Sequence, residues 1–210
     1  MSLQYFLFKN AILLFLIFGM SSFAAAAEKE PATTHFLVGI QVGGILHSPF
    51  GELGNGTQVR MEGGATFFGQ LDAGIVFSWD SVQNKVTTTD ERLANGSAEW
   101  DITTTFIKVG IPIRWQFLPQ GPWDVSAGAG PQLIWSKTTA QGTSGDALLP
   151  QNTQEELRVG ALLSVMAGRK LGLGFVSLEI SLEIGSAQGS MTGNTSTSGI
   201  GMLLGYRMRF

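Results

Sequence analysis

FIKVGIPIRWQF, residues 106–117, decides the fold. Its odd positions Ile107, Val109, Ile111, Ile113, Trp115 and Phe117 are all apolar, while Lys108, Gly110, Pro112, Arg114 and Gln116 between them are charged, polar or small. A strict period of two marks a β-strand with two unlike faces, because successive side chains leave the backbone on opposite sides. The same split runs through residues 123–136, where Trp123, Val125, Ala127, Ala129, Pro131, Leu133 and Trp135 alternate with Asp124, Ser126, Gly128, Gly130, Gln132, Ile134 and Ser136. At the C-terminus Ile200, Met202, Leu204, Tyr206, Met208 and Phe210 alternate with Gly201, Leu203, Gly205, Arg207 and Arg209.

Working outward, the alternation predicts eight strands, near Phe36–Leu46, Thr57–Phe67, Gln70–Trp79, Thr103–Phe117, Trp123–Lys137, Leu157–Gly168, Gly174–Gly185 and Thr197–Phe210. The break at Phe68–Gly69 is open, because Val59 through Trp79 keeps one apolar parity and also reads as a single long strand. With the break, long connections such as Asp80–Ile102 and Thr138–Glu156 alternate with tight ones such as Leu118–Pro122 and Arg169–Leu173. An even strand count with long loops at one end and short turns at the other is the pattern of an outer-membrane barrel.

The chain has 210 residues, 44% hydrophobic and 14% charged, with no Cys. That excludes disulfide scaffolds and Cys-ligated metal sites. Thirteen Lys and Arg against sixteen Asp and Glu give a net charge of −3, so nothing favours a nucleic-acid partner. Residues 1–27 read as a secretory signal peptide, with Lys9, the apolar run Ala11–Met20 and the small residues Ser21–Ala27; an uncleaved anchor is the alternative. Residues 28–34 read as a polar leader and 35–210 as the barrel, exported through the secretory pathway to a bacterial outer membrane.

Aromatic residues separate a membrane barrel from a soluble one. Phe36, Phe67, Trp115, Phe117, Trp123, Tyr206 and Phe210 fall at the short-turn ends of strands, on the apolar face, and Phe77, Trp79 and Trp135 at the long-loop ends. Two such girdles around an aliphatic middle match the interfacial belts of membrane proteins. The expectation is an all-β, eight-stranded, antiparallel up-and-down transmembrane β-barrel in outer-membrane lipid. A lipocalin-like barrel, whose apolar face lines a ligand cavity, is the soluble alternative.

The polar face then lines the lumen. It carries Arg60, Lys108, Arg114, Arg158, Arg207 and Arg209 against Glu62, Asp72, Asp124, Glu179 and Glu183, and many glycines, among them Gly39, Gly64, Gly74, Gly128 and Gly205. Eight strands enclose only enough space for side chains to fill, so these charges are expected to pair as a structural network. A narrow path for small, apolar solutes is the alternative.

These blocks resemble a known family. FLVGIQVGGIL at Phe36–Leu46, Phe106–Ser136, Leu157–Ala187 and IGMLLGYRMRF at Ile200–Phe210 are similar to the PorT-like outer-membrane β-barrel domain. The resemblance implies an eight-stranded outer-membrane barrel, and for one member type an accessory part in a secretion system. Gly205, Met208 and Phe210 also match the C-terminal signal read by the barrel-assembly machinery during biogenesis.

Chemistry-bearing patterns are few, and the reading is non-enzymatic, with no catalytic, cofactor or metal residues assigned. His47 beside Ser48 lacks a neighbouring acid in sequence. Glu179 and Glu183, four apart on one face, read as members of the lumen network. The long loops carry Asp80, Glu99, Asp101, Asp146, Glu155 and Glu156, which predicts an acidic outer rim. The expected role is structural or interactional, through loops offered to an extracellular or periplasmic protein partner.

Overall fold

In a computed structural model, residues 34–47, 54–89, 96–118, 121–185 and 197–210 are described. The proposed signal peptide and all of the leader but Thr34 lie outside them. The strands are β1 (His35–Leu46), β2 (Asn55–Phe67), β3 (Leu71–Thr89), β4 (Ser97–Gly110), β5 (Ile113–Gln116), β6 (Trp123–Ser144), β7 (Ala147–Leu148), β8 (Asn152–Leu171), β9 (Gly174–Ile184) and β10 (Gly199–Arg209). Each pairs antiparallel with its neighbour, and β10 returns to β1 from Leu37↔Arg209 to Leu46↔Ile200, closing the sheet. Beyond that ladder, Phe36 and Phe210 exchange backbone hydrogen bonds at 3.1 and 2.9 Å.

β4 and β5 are two halves of one wall strand, and β7 is a short addition to the outer end of β6, so the wall has eight strands. Pro112 causes the break. It lacks the N–H a ladder needs, and pairing with β3 stops at Val76↔Gly110 and resumes at Ala73↔Ile113. Ile111 N still donates to Pro131 O at 3.0 Å.

The open question at Phe68–Gly69 resolves as a turn. Gln70 N donates to Phe67 O at 3.1 Å, and Phe68 and Gly69 have φ of 53° and 66°. Two central residues with positive φ form the type I′ turn whose twist suits a hairpin. Gly69 takes this conformation freely, whereas Phe68 takes it with strain.

Polarity is inverted relative to a soluble barrel. Outward Phe36, Val42 and Val159 are 68, 60 and 74% exposed, while inward Gln41, Arg60 and Glu179 are at most 1% exposed. Glycine lets the closing seam approach: a Cβ on Gly43 would run into Met202 O and Leu203 Cα, and one on Gly205 into Ile40 O and Gln41.

The long connections are mostly strand, which corrects the expected loops. β3 and β4 stay paired out to Thr89↔Ser97, and β6 and β8 out to Ala140↔Asn152. On the opposite side, β2 stops at Gly56↔Val82 and β9 at Ala161↔Ile184. Four strands therefore stand above the rim as a one-sided extension. Val86, Thr87, Thr88, Trp100, Ile102 and Thr103 favour strand. Their alternation fades because neither face of the extension has to be apolar.

Candidate functional site: the lumen ladder

The residues pointing inward form one connected chain of ion pairs along the barrel. At the end toward the extension, His47 Nε2 is 3.5 Å from Asp80 Oδ2, and Asp80 Oδ1 is 2.7 Å from Lys108 Nζ. Lys108 also meets Glu183, which takes Arg60 at 2.9 Å and Gln58 at 2.7 Å. Arg60 continues to Glu179, which accepts from Gln41 at 3.1 Å and lies 3.5 Å from Arg114. Arg114 reaches Glu62 at 2.6 Å, and Glu62 is shared with Arg207. Arg207 holds Asp72 at 3.2 Å and Asp124 at 3.4 Å, and Arg209 closes the short-turn end on Asp124 at 2.7 Å.

Strand alternation explains why these residues meet. Every member has inward parity, and most pairs cross the lumen between strands that are not adjacent in the wall, such as Arg60 on β2 with Glu179 and Glu183 on β9, and Arg207 on β10 with Asp72 on β3. Thr66 and Gln116 add donors to Asp72 Oδ1, each at 2.6 Å. Taking such groups out of water is costly, and compensation requires several partners per charge. The inward glycines supply the room: a Cβ on Gly39 would lie 2.7 Å from Glu62 Oε1, and one on Gly128 would run into Arg114.

At the ladder's outer end the lumen also carries apolar side chains, with Phe106 directly across from Asp80 and Ile134 across from Lys108. Val82, Phe106 and Ile134 form a buried cluster, with Ile45 fully buried nearby. His47 stacks on Phe106 with ring centroids 5.3 Å apart, and Lys108 Nζ lies 5.0 Å from the same ring. His47 Nδ1 also contacts Ser198 O at 2.9 Å.

Ten of the eleven expected lumen charges, Arg60, Glu62, Asp72, Lys108, Arg114, Asp124, Glu179, Glu183, Arg207 and Arg209, join this chain. Arg158 does not. It has inward parity but sits beyond the rim, paired with Glu156 at 3.0 Å. Sequence reading missed Asp80, His47 and Phe106 as members of the lumen. Asp80, expected on the acidic rim, is buried inside the barrel. It shares the inward parity of Asp72, Ser78 and Val82 on one unbroken strand, and that is the signal that identifies it.

Among the described residues, three of the expected rim carboxylates are ion-paired. Asp101 pairs with Lys85, Glu155 with Lys137 and Glu156 with Arg158. Among the described residues, no group of three or more His, Asp or Glu could hold a metal ion. His47 does have an acid beside it, Asp80, but both side chains are fully buried, so the pair belongs to the ladder.

Gly205, Met208 and Phe210 lie on or next to the closing strand. Gly205 lines the inner wall against Gln41, and Phe210 joins Phe36 at the seam.

No family pattern matches the chain, and no curated protein matches it. Solved structures similar to it are small outer-membrane proteins. A major outer membrane protein from Thermus thermophilus aligns with a TM-score of 0.47 at 12% identity, over 85% of this chain and 100% of that one. Neisserial surface protein A gives 0.42 at 13% identity, over 86 and 98%. Ail, the attachment invasion locus protein of Yersinia pestis, crystallised with the heparin analogue sucrose octasulfate, gives 0.39 at 11% identity, over 87 and 100%. At likenesses of this size, the fold of the present chain rests on its own strand ladders: a closed, antiparallel, eight-stranded barrel with apolar walls and an ion-paired interior.

Proposed function

We propose that the chain is a non-enzymatic integral protein of a bacterial outer membrane, with a side-chain-filled lumen and a structural or interaction role carried by the four-strand extension outside the cell. The observation that carries this reading is the continuous ion-pair ladder inside a wall whose outer face is apolar. On β6 the outward Trp123 and Trp135 are twelve residues apart, about 40 Å of strand. A tilt of about 40° reduces that to about 30 Å, the depth of a bilayer's hydrocarbon core.

In this reading residues 1–27 are removed on export, the short turns face the periplasm, and the PorT-like resemblance describes the chain's relatives. Phe210, at the exposed end of the closing seam, is also the residue that the assembly machinery reads. Phe210→Ser then lowers barrel yield in cells more than detergent refolding of purified protein; equal loss in both assays restricts Phe210 to packing.

The lumen is tested in planar bilayers. The expected result is a heat-modifiable band on gels and no steady conductance, because the ladder and the Val82–Phe106–Ile134 cluster interrupt any water column. Large, stable open-channel currents overturn the plug in favour of a solute pathway. Recovery as a soluble monomer without detergent overturns the membrane reading itself.

A further inference from the structure

Toward the short-turn end of the lumen, one carboxylate oxygen of the ladder is left over. Asp124 Oδ2 takes Arg207 and Arg209. Asp124 Oδ1 meets no donor of the chain, and Ser126 Oγ and Ser177 Oγ are likewise without a hydrogen-bond partner. All three residues are at most 1% exposed. By register they surround one point: Asp124 is directly across from Gly168 on β8, Gly168 is across from Ser177 on β9, and Ser126 is the next inward residue along β6. Neighbouring strands run about 4.8 Å apart, so Asp124 and Ser177 stand about 10 Å apart at the backbone with only a glycine between them.

Gly168 differs from the inward glycines around it. A Cβ would lie 2.4 Å from Ala73 O on Gly64, 2.4 Å from Arg114 Cγ on Gly128 and 2.2 Å from Ile40 O on Gly205, whereas on Gly168 it would come no nearer than 3.2 Å, to Val176 O. The space between Asp124 and Ser177 is therefore open, while the far side of Ser177, over Gly205, is filled by Gln41. Arg207 borders the same space. Its Nη1 lies 3.2 Å from Met166 Sδ, directly across from Ser126, and a thioether is a weak acceptor that leaves the guanidinium able to donate further.

We infer that an ordered water is bound over Gly168, donating to Asp124 Oδ1 and accepting from the hydroxyls of Ser126 and Ser177. A water oxygen with a hydrogen bond on each side spans about 5.5 Å, which with the reach of an aspartate and a serine side chain covers the separation. The ligand has to donate to a carboxylate and accept from hydroxyls, as water does. It also has to be neutral, because Asp72 and Asp124 already balance Arg207 and Arg209. Arg209, its side chain 16% exposed, bonds Asp124 on the short-turn side, and Met166 and Arg207, each 1% exposed, close the other. The site is a sealed chamber within the plug and not a segment of a water column. This inference goes beyond the function proposed above and requires only the closed lumen.

The test is a crystal structure of the detergent-refolded protein at a resolution that shows ordered waters, with a second crystal soaked in rubidium chloride, and urea unfolding of two variants. A water peak within hydrogen-bond reach of Asp124 Oδ1 and Ser177 Oγ, with no anomalous signal from rubidium, is expected. Gly168→Ser supplies a hydroxyl where the water sits, whereas Gly168→Ala displaces the water and replaces none of its hydrogen bonds. The serine variant should therefore have an unfolding equilibrium constant about fivefold smaller than the alanine variant, the worth of about one hydrogen bond. A rubidium peak overturns the inference in favour of a cation site. A serine hydroxyl bonded directly to Asp124 Oδ1 with no water peak overturns it as well, and so does an alanine variant as stable as the serine variant. Should Gly168→Ala fail to refold, the wild-type crystals decide alone.

Discussion

In the lumen, Glu183 is fully buried and takes Lys108, Arg60 and Gln58 together. In the extension, Lys85 and Asp101 meet at 3.2 Å while their side chains remain 85 and 66% exposed. Both contacts join a lysine or arginine to a carboxylate, and they do different work. Inside the barrel each charge is removed from water, so its partners decide whether the wall can close around it. Outside, water solvates both ions with or without the pair.

That contrast sets the largest expected effect. Glu183→Ala leaves Lys108 and Arg60 short of a counter-charge in a sealed space, and should destabilise the barrel by about 3–5 kcal/mol. Arg114→Ala, which strips Glu62 and Glu179 of a shared partner, belongs in the same range. The measurement is urea unfolding of detergent-refolded protein, followed by tryptophan fluorescence. A change under about 1 kcal/mol for both variants would mean that water enters the lumen and screens these groups. The contrast between inside and outside would then collapse.

A double-mutant cycle on Arg114 and Glu62 sharpens it. Their 2.6 Å contact is direct, but Glu62 also holds Arg207. The expected coupling is about 1–3 kcal/mol, with the two single losses summing to more than the loss in the double variant. Additive losses would show that each residue acts through separate neighbours.

The difference between the two regions also explains what the sequence could reveal. Along β6, an apolar outer face on one side and a charged lumen on the other put opposite polarity at alternate positions, so Trp123 through Trp135 is largely readable from the sequence. Above the rim that constraint lapses, and Gln83–Thr89 reads as a loop although it is strand. Parity assigned ten of the ladder's charges to the lumen, but it carries no information about height. Arg158 has the right parity beyond the rim, and Asp80 has it at the point where the alternation stops being legible. Pairing was illegible too, because which Arg faces which Glu depends on how the strands are staggered around the ring. Phe106 and Val82 have inward parity but apolar character, so the apolar cluster beside the ladder's outer end gave no signal in a pattern built on polar inward positions.

A smaller effect comes from the short-turn end, with the opposite sign. Phe68 occupies the left-handed region at φ 53° in a two-residue turn, a place suited to asparagine or glycine. Its side chain is half exposed, so little packing offsets the strain. Phe68→Asn should stabilise the barrel by about 1 kcal/mol, visible as a higher urea midpoint with an unchanged slope. A lower midpoint would show that the ring's contact with detergent or lipid outweighs the backbone term.

The smallest expected effect bears most directly on the contrast. Lys85 and Asp101 lie opposite each other on β3 and β4, in the part of the extension where β3 has no β2 partner. Holding two mobile, hydrated side chains together costs entropy that nearly cancels their attraction, and salt at about 0.15 M screens the remainder over roughly 8 Å. Removing either side chain should therefore cost less than about 0.5 kcal/mol, with a coupling near zero in a double-mutant cycle. Raising the salt concentration should change the Lys85–Asp101 coupling by more than it changes the Arg114–Glu62 coupling, because only the exposed pair is open to mobile ions. If the exposed pair instead proved as strong and as salt-resistant as the buried one, exposure to water would not be what separates the two regions, and the contrast between them would fail.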